Sequence, residues 1–190
     1  GPMRGSRRLA AVLTAATLLA GGAPAAPAAE DPRLAGSARG ARNGWITVRL
    51  QGAPSAVGFQ HGTLLATEIA DAVAVAKLSL THDGKRDWAF FRKAAETVFW
   101  PRVETEYREE LQGIADGAAA AGAGVDLWDV VALNASIEFG YYTAQLDADG
   151  RSGAPDKCSA FVATGRYTRD GRPVVAHNNW SGYLEGSRWN

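Results

Sequence analysis

Apolar residues keep one rhythm up to the chain's single cysteine, Cys158, and a different one after it. Before Cys158 they recur every three or four residues, the spacing that lines one face of a helix. After it they alternate, the two-residue period of a strand. No fold built from one type of secondary structure satisfies both patterns, so the expected class is α+β, with helices first and sheet starting at the thiol.

Leu65, Ile69, Ala72, Val73, Ala76 and Leu80 predict one helix that starts at Pro54-Ser55, with Ser55 as its cap, and ends at His82, Asp83 and Gly84. Gly58 and Gly62 lie four apart on it, which would let a second backbone approach closely. A second helix is expected from about Lys85 to Phe99, with Trp88, Phe91, Ala95 and Val98 on one side and Pro101 as its stop. A third carries Val103, Tyr107, Leu111, Ile114, Ala118 and Ala121. Asp126 caps a fourth, with Asp129 near its positive end and Leu127, Val130, Leu133, Ile137 and Tyr141 as its apolar face. A single short strand, Trp45 to Leu50, precedes the helices, after a Gly-, Ala- and Arg-rich stretch to about Asn43.

From Leu146 to Lys157 the sequence LDADGRSGAPDK loses its apolar content, as an exposed connection does. Beyond it, Ser159 to Thr164 and Arg172 to His177 read as two strands, with Asp170-Gly171 as a hairpin signal between them.

At the other end, Arg4, Arg7 and Arg8 precede an apolar run, Leu9 to Ala20, that is too short to span a bilayer, followed by small residues such as Ala26-Pro27-Ala28. Residues 1–29 therefore read as a signal peptide, and the protein as secreted or periplasmic. The adjacent Arg7 and Arg8 leave the twin-arginine route open beside the general one. Lys plus Arg and Asp plus Glu number 20 each, so no net field draws the chain to nucleic acid or an anionic membrane. Three scattered histidines and one cysteine predict neither a metal site nor a cofactor.

An exported chain with one cysteine cannot form an internal disulfide, so its thiol needs another account. One account is a small buried hydrophobe. The other is a nucleophile at the head of a strand, behind a loop that can be cut. Cleavage there creates an α-amino group on Cys158 itself, with an ordinary pKa of about 7.7 to 8.0, so the amine can take the thiol's proton near neutrality. One residue then supplies both nucleophile and base, and a separate His and Asp pair is not needed.

The residues around the thiol also resemble a known family. Lys157-Cys158-Ser159-Ala160-Phe161, Asp170-Gly171, then Val174 to Trp180 and Tyr183 look like the start of the mature large chain of phospholipase B-like proteins. They are similar as well to bacterial autoproteolytic acyltransferases and hydrolases, all N-terminal-nucleophile enzymes. Gly58-Phe59-Gln60-His61-Gly62 and Glu110 to Gly117 resemble that family's pro-region. The resemblance implies an αββα sandwich, cleavage between Lys157 and Cys158, and hydrolysis or transfer of acyl groups from amides or esters through a thioester on Cys158. It also implies that the cleaved N-terminal fragment stays associated, that His177 and Trp180 line the pocket, and that Asn178 or Asn179 donates to an oxyanion. The acyl donor would be a small molecule or a lipid.

On that scheme residues 30–157 form a helical pro-region and residues 158–190 only the start of the catalytic chain, enough for the first hairpin of the sandwich. Two other readings stand beside it: a non-catalytic helical binding module with a buried structural cysteine, and an inert pro-fragment.

Overall fold

The structure, a computed structural model, describes residues 31–147, 158–179, 181–186 and 188. The expected signal peptide, Lys157 and Trp180 lie outside the described residues. Two antiparallel hairpins flank a set of helices: β1 (Ala38–Arg42) pairs with β2 (Trp45–Arg49), and β3 (Cys158–Gly165) with β4 (Gly171–Asn179). Between them run α1 (Pro54–Leu64), α2 (Ala66–Gly84), α3 (Trp88–Ala94), α4 (Thr105–Ala120), α5 (Leu127–Asn134) and α6 (Ser136–Leu146). A last turn of helix, α7 (Tyr183–Gly186), follows β4. The content is α+β, but a two-stranded sheet precedes the helices where the sequence reading placed a single strand from Trp45 to Leu50.

Several boundaries differ from the sequence reading, each for a local reason. Pro54 takes the first helical position of α1, where its missing N–H costs nothing, so the cap is Ala53 and Ser55 lies inside the first turn. The long helix expected from Pro54-Ser55 to Gly84 is two, because Leu65 leaves helical geometry (φ −117°, ψ 24°) and buries its side chain in the cluster that holds Ile69, Ile114 and Val130. Beyond α3 the chain passes through a π-type turn at Ala95–Phe99 and a 3-10 turn at Trp100–Arg102 that accommodates Pro101. Asp126 does cap α5, in a reciprocal box with Asp129, but that helix stops at Asn134. Ala135 (φ −87°, ψ 9°) shifts the phase of α6, so Phe139 and Thr143 are buried and the expected core residues Ile137 and Tyr141 face outward.

Two apolar clusters form the core. One joins Leu65, Ile69 and Val73 to Ile114, Ala118 and Val130. The other packs Phe91, Ala94 and Ala95 against Val131, Ala132 and Phe139, with the Phe91 and Phe99 rings meeting Phe139 edge-on at 5.0 and 5.2 Å. Helices α1 and α4 touch backbone to backbone. A methyl group built on Gly58 or Gly62 would overlap the carbonyl of Glu110 or Ile114, and one built on Gly113 would come 2.5 Å from the Ser55 oxygen. The close approach expected of Gly58 and Gly62 is thus made, with α4 as the partner.

Arg92 of α3 binds both Asp126 and Asp129 at the start of α5, and the Trp88 indole donates to Asp129 at 2.9 Å. The guanidinium holds the Asp126 carboxyl below its ordinary range, and the backbone N–H groups of Asp129 and Trp128 add to that. A carboxylate whose folded pKa is depressed contributes stability above its unfolded pKa of about 3.9, and that stability is lost as pH falls through the folded value. Arg92→Gln should therefore lower the unfolding midpoint at pH 7, and the gap to wild type should narrow at about pH 3. Thermal melts at both pH values check this; an unchanged gap would show that the cluster carries no pH-linked stability.

Candidate functional site: the Cys158 hairpin

The β3–β4 register places Cys158 opposite Asn179, Ala160 opposite His177 and Val162 opposite Val175. Directly paired residues, and every second residue along a strand, share a face of a sheet. One face therefore carries Cys158, Ala160 and Val162 with Asn179, His177 and Val175. The other carries Ser159, Phe161 and Ala163 with Asn178, Ala176 and Val174. Of the two candidate asparagines, Asn179 is the one beside the thiol: the Cys158 Sγ donates to Asn179 Oδ1 at 3.5 Å. Asn178 points to the opposite side. His177 stands one rung along from Cys158, about 7 Å at strand spacing, close enough to share a ligand with it.

Cys158 is exposed and belongs to neither core cluster of the described residues. His177 and Asn179 are exposed too. The hairpin differs from expectation at its tip. A register shift between Ala163 and Gly165 is followed by the loop 166–170, and Gly171 (φ 74°) is the first residue of β4 rather than part of a two-residue turn. Asp170 steadies that return by accepting the Arg172 N–H at 3.2 Å.

Beyond β4 the chain fastens to the helices, with Arg188 Nε 2.6 Å from Asp71 Oδ2 on α2. Before β3, Asp147 at the end of α6 pairs with Arg86. The hairpin thus lies between two anchored points of the helical part. Its apolar residues lack cover on both faces: Phe161 is 59% exposed on one, and Val162 and Val175 are 64% and 67% exposed on the other.

His61 and His82 belong to α1 and α2, not to this site. Burial pushes the His61 imidazole pKa down, partly offset by Glu110, while His82 is exposed beside Asp83. A groove of about 470 Å³ runs along α1 and α4 past Phe59, Trp100, Arg108 and Gln112, and no residue of the hairpin lines it. The sequence reading named one residue only within the pro-region resemblance and gave it no structural role. Gln60 is buried, donates to the carbonyls of Arg33 and Gln51 at 2.9 and 3.0 Å, and accepts the Gln51 N–H at 2.9 Å. It ties both ends of the β1–β2 region to α1, and only its place beside an apolar helix face hinted at burial.

No known family profile matches the chain, and no solved structure does. The chain is 31% identical over 183 residues to an uncharacterised protein of Archaeoglobus fulgidus, an alignment covering 90% of this chain and 30% of that protein. It is 28% identical over 150 residues to the acyl-coenzyme A:6-aminopenicillanic-acid-acyltransferase 40 kDa form of Emericella nidulans, covering 76% of this chain and 33% of the enzyme. The chain spans about a third of the length of these relatives. It is a distant and partial relative of an acyltransferase.

Proposed function

We propose that Cys158 is the nucleophile of an exported hydrolase or acyltransferase that matures by cutting itself between Lys157 and Cys158. The observation that carries this reading is an exposed thiol on the first residue of a strand, hydrogen-bonded to Asn179 and sharing its face with His177. Similarity to an acyltransferase over 76% of the chain supports acyl chemistry at that thiol.

In the precursor the thiol attacks the Lys157 carbonyl. The carbon–sulfur bond forms, the carbon–nitrogen bond breaks, and the released nitrogen becomes the α-amine of Cys158 with the thiol's proton. Water then hydrolyses the thioester, freeing the Lys157 carboxylate and restoring the thiol. In the mature site the amine takes the thiol proton, the thiolate attacks the acyl carbonyl of an amide or ester, and the proton passes to the leaving group. Water or an acceptor amine resolves the second thioester, which separates hydrolase from transferase.

Asn179 orients the sulfur, and its amide can turn its N–H group to a developing oxyanion, a donor of the kind whose removal costs about 2.7 to 4 kcal/mol elsewhere. His177 lines the same face. Strands that are apolar on both faces belong to sheets covered on both faces. The exposed Phe161, Val162 and Val175 accordingly fit a hairpin that forms part of an αββα sandwich.

Protein held at neutral pH is expected to separate on a denaturing gel into two pieces that co-migrate under native conditions. Mass and N-terminal sequencing should place the new ends at Lys157 and Cys158. A chain that stays whole through prolonged incubation overturns the self-cleavage.

A further inference from the structure

We infer that the outer face of the β1–β2 hairpin is a docking surface for a bilayer bearing anionic lipid. Its register, with Arg42 opposite Trp45 and Ala38 opposite Arg49, puts Arg42, Arg49 and Trp45 on one face together with Thr47. Trp45 is 70% exposed and adjoins the tip. Arg39 points to the other face, where it binds Glu68 at 2.6 Å and the Leu64 carbonyl. No hydrogen bond or ion pair engages the side chain of Arg42 or Arg49 among the described residues, and no acidic residue occurs between Ala38 and Arg49.

The hairpin is also held stiffly. Asn43 and Gly44 both have positive φ (53° and 82°), the type I′ turn that matches strand twist, and Gln60 and Arg39 fasten the stem to the helices.

Without residues 1–29, which hold Arg4, Arg7 and Arg8 and no acid, the chain carries 17 basic (20 − 3) and 20 acidic residues and offers no long-range attraction, so attraction here is local. Arginines beside an exposed tryptophan suit the boundary of an anionic bilayer, where the indole sits at headgroup depth and each basic side chain adds to the attraction. Two five-residue strands, each about 17 Å long, present a face on the order of 300 Å², well short of the roughly 800 Å² per partner of a stable protein interface. A bilayer needs no matching area. A second copy of the hairpin would oppose arginine to arginine.

The test uses Cys158→Ala protein, so that chemistry at the thiol cannot intervene, and co-sedimentation with phosphatidylcholine vesicles made with or without phosphatidylglycerol. Binding is expected to be at least about tenfold tighter with phosphatidylglycerol, and to weaken from about 0.1 M to about 1 M salt as the screening length shrinks from about 10 Å to about 3 Å. Arg42→Gln/Arg49→Gln should bring it to the phosphatidylcholine level at an unchanged thermal midpoint. Trp45→Ala alone should weaken it several-fold, a second readout should the double variant fold poorly.

Equal binding to both vesicles, or indifference to these substitutions, overturns the inference. So does retention on polyglutamate or duplex DNA with no vesicle binding, which would assign the face to an acidic macromolecule. None of these outcomes bears on cleavage at Cys158.

Discussion

Cys158→Ala protein should remain a single uncut chain under conditions in which the wild type separates into pieces ending at Lys157 and beginning at Cys158. Without the sulfur no group on the chain can make the thioester, so both self-cleavage and acyl transfer should fall by on the order of 10⁴-fold or more, as when other enzymes lose their nucleophile. Cys158→Ser should cut slowly, because a hydroxyl is the weaker nucleophile but can make the corresponding ester. The loss should not reflect unfolding. Cys158 is exposed and outside both core clusters, so its replacement should change stability by no more than about 0.5 kcal/mol. Cleavage rates independent of protein concentration would show that each chain cuts itself. Fragments from Cys158→Ala protein at the wild-type rate would mean that another protease makes the cut, and the thiol would lose its assigned role.

The parts of the fold that were legible in the sequence are those whose information is local. Asp126 with Asp129, three residues on, specifies a reciprocal cap, and the cap is there. Gly58 and Gly62 announce a close backbone contact, although only the structure shows that Gly113 and Gly117 meet it from α4. The strand alternation after Cys158 gave the β3–β4 pairing, and the register then separated Asn179 from Asn178, two neighbours that sequence alone leaves equivalent. What stayed hidden depends on packing. No Gly or Pro marks Leu65 or Ala135, so nothing in the pattern says that two long helices become four or that Tyr141 rotates out of the core. Strand β1, with the sequence ARGAR, has no apolar alternation, and it forms because Asn43-Gly44 folds it onto β2. That turn dipeptide was the available signal.

The contact between α1 and α4 sets the second large expectation, in which backbone propensity and packing have opposite signs. Alanine is favoured over glycine inside a helix by about 0.5 to 1 kcal/mol. At Gly62, however, the added methyl would run into the Ile114 carbonyl oxygen and come within 2.8 Å of the Ala118 nitrogen, both backbone atoms that no side-chain rotation can move. The helices would have to separate, pulling Phe59, Ile114 and Ala118 out of contact, so Gly62→Ala should destabilise by about 3 kcal/mol. Gly140 on α6 is the control: nothing lies within 4 Å of a methyl group there, and Gly140→Ala should stabilise by roughly 0.5 to 1 kcal/mol. Urea unfolding midpoints for the two variants should therefore move in opposite directions from wild type. The consequence extends to the candidate site, since α2 and α6 carry the Asp71 and Asp147 anchors on either side of the Cys158 hairpin. Self-cleavage in Gly62→Ala protein should decline in step with its folded fraction. Equal midpoints for the two variants would show that α1 and α4 are not in backbone contact in solution.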